Sequence, residues 1–277
     1  MRFTSKILLT TLCLLILGGS MGATAFAAPK AELWPRWEAN DPQSNLRVDH
    51  SAWAKFLDNY LLVSESGTAN LVRYAEVNSE DKASLAKYIA TLSTVPISRL
   101  NRLEQKAVWI NLYNALTVQT ILNHYPVESI RDISSGWFSS GPWDLKLVKV
   151  EGEEISLNDI EHRILRPIWE DNRVHYAVNC ASLGCPNLQP EVFSAENMER
   201  LLDKAARAYV NSPRGVDLAG EKLTLSSIYD WFQVDFGGTD ATMLAHLKKY
   251  AAPVLAEKLK RHQGRISYQY SWDLNKG

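Results

Sequence analysis

The chain has 277 residues, and 30 lysines and arginines nearly balance 31 aspartates and glutamates. This balance argues against nucleic acid or an anionic membrane as the main partner. Hydrophobic residues make up 46% of the chain, which is enough for one large domain with a packed core.

The first 28 residues are predicted to be a secretory signal peptide. Arg2 and Lys6 precede an apolar run over 7–17, and the small-x-small sequence AFA follows at 25–27. The apolar run is too short for a stable transmembrane helix. We therefore expect an exported protein, periplasmic or secreted, with no membrane span after signal cleavage.

The first half of the remaining chain is predicted to be mainly helical. Residues 29–50 form an extended lead-in, and helices are expected over 51–63, 80–92 and 101–125. Asn101 and Glu104 have the spacing of a capping box, and Pro126 ends that helix. We divide the chain into the signal peptide 1–28, a lead-in with one helix over 29–79, and a core domain over 80–277.

The second half alternates helices with short strands. A hairpin is expected over 143–155, helices over 157–168, 195–210, 226–234 and 239–261, and strands over 174–180, 222–225 and 266–272. Helices dominate and the strands are short, which is typical of an α+β fold with a small, mostly antiparallel sheet.

The helix over 101–125 carries two asparagines where apolar residues are expected. Asn111 lies in the middle of its most apolar face and Asn114 at the edge of that face. A buried amide needs hydrogen-bond partners. One interpretation is that the amides tie the helix to neighbouring backbone; the other is that they orient a catalytic group or bind substrate.

The helix over 157–168 shows the same conflict with two ionisable residues. Glu161 falls within its apolar face, and His162 lies beside that face. A carboxylate in such a position must be paired or neutral. It is either a structural ion pair or a general acid or base assisted by His162.

Cys180 and Cys185 are the two cysteines that remain after signal cleavage. In an oxidising compartment this pair favours a disulfide. The alternatives are a Cys180 nucleophile with His162 as its base and a Ser182/Gly184 oxyanion hole, or a small zinc site. Strand alternation over 174–180 would place His175 and Asn179 on the face opposite Cys180.

Five motifs together resemble the family catalogued as domain of unknown function 547, which occurs in bacterial exported proteins and in plants. They are WINLYNALTVQTIL (109–122), LNDIEHRILRP (157–167), VHYAVNCASLGCP (174–186), SSIYDWFQVDFGG (226–238) and YSWDLN (270–275). The resemblance implies a fold and a set of signature residues, and no particular reaction. Those residues are Asn111, Asn114, Glu161, His162, His175, Asn179, Cys180, Trp272 and Asp273.

These residues suggest a distant likeness to papain- or transglutaminase-type enzymes, in which a thiolate, an imidazole and an amide or carboxylate act together. We expect no cofactor and no metal. The hypothesis is a thiol-dependent hydrolase or acyltransferase acting on a small molecule, peptide or glycan; the alternative is a non-catalytic binding protein with a structural disulfide. Catalysis is assigned to Cys180, His162, Glu161, Asn114 and Asn111, and substrate binding to His175, Asn179, Ser182 and Trp109.

Overall fold

The structure is a computed structural model that describes residues 28–64, 67–133 and 141–277. The predicted signal peptide, apart from Ala28, lies outside the described residues. Within the described part of the chain, no helix has both the length and the apolar character needed to cross a bilayer.

Eight α-helices are found in the described segments. They are α1 (Ser51–Tyr60), α2 (Ser79–Ser93), α3 (Arg102–His124), α4 (Arg166–Trp169), α5 (Met198–Val210), α6 (Ile228–Trp231), α7 (Asp240–Tyr250) and α8 (Pro253–Arg261). Asn101 caps the first turn of α3, because its side chain accepts a hydrogen bond from the Glu104 backbone N–H at 3.0 Å. The predicted capping box is only half formed, since the Glu104 carboxylate accepts from the Val48 N–H at 2.7 Å.

The strands form three small sheets. They are β1 (Leu61–Leu62), β2 (Leu71–Val72), β3 (Val148–Val150), β4 (Glu153–Ile155), β5 (Val216–Ala219), β6 (Lys222–Ser226) and β7 (Ile266–Gln269). The pairs β1–β2, β3–β4 and β5–β6 are antiparallel, while β7 pairs parallel to β6. The predicted α+β class, with mainly helical content, is confirmed.

The helix predicted over 157–168 is not a regular α-helix. Asp159–Leu165 forms a π-helix that continues directly into α4. A π-turn widens the helix by one residue and re-aims the side chains that follow. It carries both Glu161 and His162, so their position could not be read from α-helical periodicity.

The strand predicted over 174–180 is also wrong. Residues Asn172–Tyr176 form a 3₁₀-helix whose first turn is capped by the Asp171 side chain, and irregular backbone follows to Cys180. The residues from Val174 to Asn179 are all buried, so their alternating polarity does not mark two faces of a strand. The predicted separation of His175 from Cys180 therefore fails.

Buried apolar side chains form two clusters. One joins α1, α2, α3 and the π-helix, and the other joins α5, the β5–β6–β7 sheet and α6 to α8. Tyr176 belongs to the second cluster, whereas Ala177 and Val178 belong to the first. This segment therefore crosses between the clusters, and the candidate site lies at that junction.

Candidate functional site

A cavity of about 270 Å³ lies where the two clusters meet. The π-helix contributes Glu161 and His162 to its wall, the 3₁₀-helix contributes His175, and the loop that follows contributes Cys180 and Cys185. Aromatic rings close the remaining sides: Tyr113, Trp143, Trp231, Phe232, Tyr270 and Trp272. The cavity is therefore apolar on most sides, with a small group of polar side chains, as is typical of small-molecule sites.

Glu161 is the carboxylate of the cavity wall, and it is only 8% exposed. The Tyr113 hydroxyl donates to its Oε2 at 3.1 Å. Its Oε1 lies 3.7 Å from His175 Nδ1. Burial holds the pKa of Tyr113 well above its ordinary value, so this hydroxyl remains a hydrogen-bond donor.

The orientation of the His175 ring is set by a contact with the acidic residue Asp235. Its Nε2 lies 2.7 Å from Asp235 Oδ2, and its ring stacks on Phe232 with centroids 4.2 Å apart. Burial raises the pKa of Asp235, but hydrogen bonds from His175 and Arg166 outweigh it and hold that pKa well below its ordinary value. Asp235 is thus a carboxylate that orients His175.

Arg166 determines the tautomer of His162. The Arg166 guanidinium donates to both carboxylate oxygens of Asp235, at 2.6 and 3.1 Å. Its Nη1 lies 3.0 Å from His162 Nδ1. A guanidinium cannot accept a hydrogen bond, so Nδ1 must be the acceptor and Nε2 must carry the proton. Burial lowers the pKa of His162 to about 4, although the Glu161 charge opposes the shift.

Cys180 and Cys185 form a disulfide in the wall of the cavity. The Tyr270 hydroxyl lies 3.0 Å from Cys180 Sγ and 3.1 Å from Cys185 Sγ. In this form neither sulfur is a nucleophilic thiolate or a thiolate ligand for zinc. Among the described residues, no group of three or more His, Cys, Asp or Glu side chains is arranged to hold a metal ion.

The loop that carries the disulfide is fastened to the C-terminal segment. The Leu183 N–H donates to Asp273 O at 2.8 Å, and the Gly184 N–H donates to Ser271 O at 2.9 Å. The predicted oxyanion hole at Gly184 is therefore wrong, because its N–H is already bonded to protein. Ser182, expected to bind substrate, is 1% exposed, and its hydroxyl lies 2.9 Å from Tyr270 Oη.

The two asparagines of α3 bind backbone and are not part of the cavity wall. Asn114 donates to Ala177 O at 2.9 Å and accepts from the Asn179 N–H at 2.8 Å. Asn111 makes the same pair of contacts with both backbone groups of Phe193, at 2.8 and 3.1 Å. These amides tie α3 to the site loop and to the segment before α5.

Asn179 and Trp109 also lie away from the cavity wall. The Asn179 side chain accepts from the Ala181 N–H at 2.9 Å and donates to Pro186 O at 2.7 Å. Trp109 is 1% exposed and packs edge-on against Trp37 with ring centroids 5.0 Å apart. Neither of these two side chains is among the residues that line the cavity, whereas His175 does line it.

Several site residues were not identified from the sequence. Tyr113, Arg166, Phe232, Asp235 and Tyr270 all belong to the quoted motifs. Arg166 stands four residues after His162, a spacing that brings helical side chains together. Asp235 is acidic within an otherwise aromatic motif, but its pairing with His175 depends on a tertiary contact across 60 residues.

Comparison with known proteins identifies the class of the site-bearing segment. Residues 97–210 match the family described as "Protein of unknown function, DUF547". The resemblance predicted from the motifs is therefore confirmed over that segment. Searches of curated proteins and of solved structures found no match, so the likeness to papain-type enzymes has no support.

Proposed function

We propose that this chain is an exported protein that binds a small ring-bearing molecule in the aromatic cavity and acts on it by acid–base chemistry. Glu161 serves as the general base, and the Nε2–H of His162 serves as a neutral hydrogen-bond donor. The Cys180–Cys185 disulfide is structural in this proposal. The reaction class is a hydrolysis or group transfer that does not use a cysteine.

The observation that carries the proposal is the contact between Arg166 and His162 Nδ1, at 3.0 Å. It fixes the proton on Nε2 and so gives the cavity a donor beside an acceptor. A donor and a base on one wall are the groups needed to polarise a bond and remove a proton. Both come from consecutive residues of the π-helix, a type of turn common at functional sites.

The surroundings of Glu161 support its role as the base. The Tyr113 hydroxyl donates to the carboxylate, His175 Nδ1 lies 3.7 Å from it, and Asp235 orients the His175 ring. A carboxylate held by neighbours whose own positions are fixed has a defined geometry toward a ligand. The aromatic rings that line the cavity make its surroundings less polar, which strengthens the electrostatic interactions of Glu161 with a bound molecule.

An assay with matched variants tests the proposal. A panel of chromogenic esters, amides and glycosides is screened with the wild-type protein, and Glu161→Gln is compared with Glu154→Gln. Glu154 is an exposed carboxylate on the β3–β4 hairpin, away from the cavity. We expect Glu161→Gln to lower kcat by about 10²- to 10⁴-fold, the usual range for a general base. Equal activity of the two variants would contradict the role of Glu161.

A thiol-dependent enzyme is the second candidate, because Cys180 lines the same cavity as His162. Reduction of the disulfide would present a thiol to a ligand bound there. This candidate requires that activity appears only with a reductant and that a thiol-alkylating reagent abolishes it. Activity without a reductant, unaffected by alkylation, favours the acid–base proposal.

A further inference from the structure

The ionisable side chains of the cavity wall include two carboxylates and two histidines. Among the described residues that line it there are two carboxylates, Asp144 and Glu161, and neither lysine nor arginine. Glu161 is buried in the wall, while Asp144 lies exposed on the same lining. His162 contributes no positive charge near neutral pH, because its Nδ1 accepts from Arg166 and burial lowers its pKa to about 4.

The nearest arginines do not cancel this negative character. Arg166 is paired through two contacts with Asp235, so its charge is compensated within the protein. Arg131 lies over the ring of Trp272 at 5.3 Å, but its side chain is exposed to solvent, where its charge is screened. His175 also lines the cavity, with Nδ1 3.7 Å from Glu161 and Nε2 2.7 Å from Asp235, so any positive charge on this ring lies between two carboxylates. Glu161 is the buried carboxylate that the described lining presents to a ligand.

The aromatic rings of the cavity wall favour a positively charged ligand. Trp272 lies 5.6 Å from Trp143, 5.6 Å from Trp231 and 4.7 Å from Tyr270, measured between ring centroids. The Arg131 guanidinium makes a cation–π contact with the Trp272 ring, which shows that this ring can bind a cation. Electron-rich rings beside a carboxylate attract organic cations, and this attraction grows when water is excluded.

We propose, building on the function proposed above, that the ligand of this cavity is a small organic cation in which a protonated amine is attached to an apolar or ring-bearing group. The amine donates to the Glu161 carboxylate, and the apolar group packs among Trp143, Trp231 and Trp272. A carboxylate or phosphate ligand is disfavoured, because it would face Glu161 and no lysine or arginine is among the described residues that line the cavity.

A set of three similar probes tests this assignment. Benzylamine, benzyl alcohol and benzoate have nearly the same size and differ in charge at neutral pH. Binding is followed by the fluorescence of the tryptophans, three of which line the cavity. We expect benzylamine to bind about tenfold more tightly than benzyl alcohol, the strength of one charge-assisted hydrogen bond, and benzoate to bind most weakly.

Variants assign the selectivity to Glu161. Glu161→Gln keeps an acceptor for Tyr113 and should remove the advantage of benzylamine while benzyl alcohol still binds. Asp144→Asn provides a second variant at an exposed position and should reduce the advantage only at low salt. Glu154→Gln should change nothing. The N-terminus of the protein is defined by mass spectrometry, because cleavage of the predicted signal peptide 1–28 would leave an α-amino group at Pro29, which lines the cavity. The preference for benzylamine is therefore measured on the mature chain.

The outcomes separate this inference from the proposed function. If benzyl alcohol or benzoate binds as tightly as benzylamine, or if the preference survives Glu161→Gln, the cation assignment is wrong while the acid–base proposal still stands. If none of the three probes binds, the cavity does not take ligands of this size, and both proposals fail. Loss of activity in Glu161→Gln without any amine preference overturns the cation assignment alone.

Discussion

At the scale of single residues, burial of polar groups is what distinguishes this chain. Asn111 and Glu161 are predicted on apolar helix faces, and Asn114 and His162 at the edge of or beside such faces. All four are buried in the structure. The sequence could show that each needs partners, because unpaired buried polar groups are costly. It could not show which partners they have. The two amides bind backbone, while the two ionisable groups line the cavity.

Asn114 is predicted to be a main support of the site loop. Asn114→Ala removes its bonds to Ala177 O and the Asn179 N–H and leaves both groups buried without a partner. We expect the free energy of unfolding to fall by about 2–4 kcal/mol, measured by urea denaturation. Asn123→Ala, at an exposed position of the same helix, should change it by less than about 0.5 kcal/mol. Equal effects of the two substitutions would contradict this role.

At the scale of elements, the predicted secondary structure is most accurate where the local sequence of a segment determines its conformation. The capped helix α3, the β3–β4 hairpin and strand β6 lie close to where they were predicted. Strands β1, β2 and β5 were not predicted, and the helix predicted over 239–261 is divided into α7 and α8. At the site, the errors fall on the π-helix and on residues 174–180. Their conformation is set by tertiary contacts, such as the bonds of Asn114 to the loop, so periodicity alone could not reveal it.

The loop that carries the disulfide packs against the C-terminal segment that contains Ser271 and Asp273, and this contact leads to a prediction about Gly184. A Cβ at Gly184 would lie 2.7 Å from Ser271 O and 2.9 Å from Ser271 N, both backbone atoms. Gly184→Ala should therefore push the loop away from this segment, which carries Tyr270 and Trp272 of the cavity wall. We expect a loss of stability of about 1–3 kcal/mol and weaker binding in the cavity.

Gly220→Ala is the matched control for that substitution. Gly220 has a φ of +61° but no atom within 4 Å of an added Cβ. Its replacement should cost only the strain of the left-handed backbone, about 1 kcal/mol, and leave ligand binding intact. If Gly184→Ala leaves binding intact as well, the loop is not held in the way described.

At the scale of the whole molecule, three buried or half-buried histidines make stability depend on pH. Burial is the main cause that lowers the pKa of His50, His162 and His246, each to about 4. In the unfolded chain a histidine has a pKa of about 6.5. The unfolded state therefore binds more protons between these two values, and the folded state loses stability as pH falls from about 6.5 to about 4.

We expect each of these histidines to contribute up to about 1.4 kcal/mol per pH unit within that window, as measured by urea denaturation at a series of pH values. His246→Gln keeps a partner for the Tyr176 hydroxyl, which lies 2.8 Å from His246 Nε2, and should reduce the slope. His124→Gln, at an exposed position, should leave the slope unchanged. A free energy of unfolding that is constant from pH 6.5 to pH 4 would contradict the burial of neutral histidines.

A comparison of enzymatic activity among variants shows directly whether Glu161 or Cys180 is required for a reaction in the cavity. The assay that compares Glu161→Gln with Glu154→Gln is extended to a chain in which Cys180 and Cys185 are both replaced by serine. Loss of the disulfide should cost about 2 kcal/mol of stability, so activity is measured well below the unfolding temperature. The account predicts that the serine variant keeps most of its activity and Glu161→Gln loses it. Activity lost in the folded serine variant and kept in Glu161→Gln would contradict it.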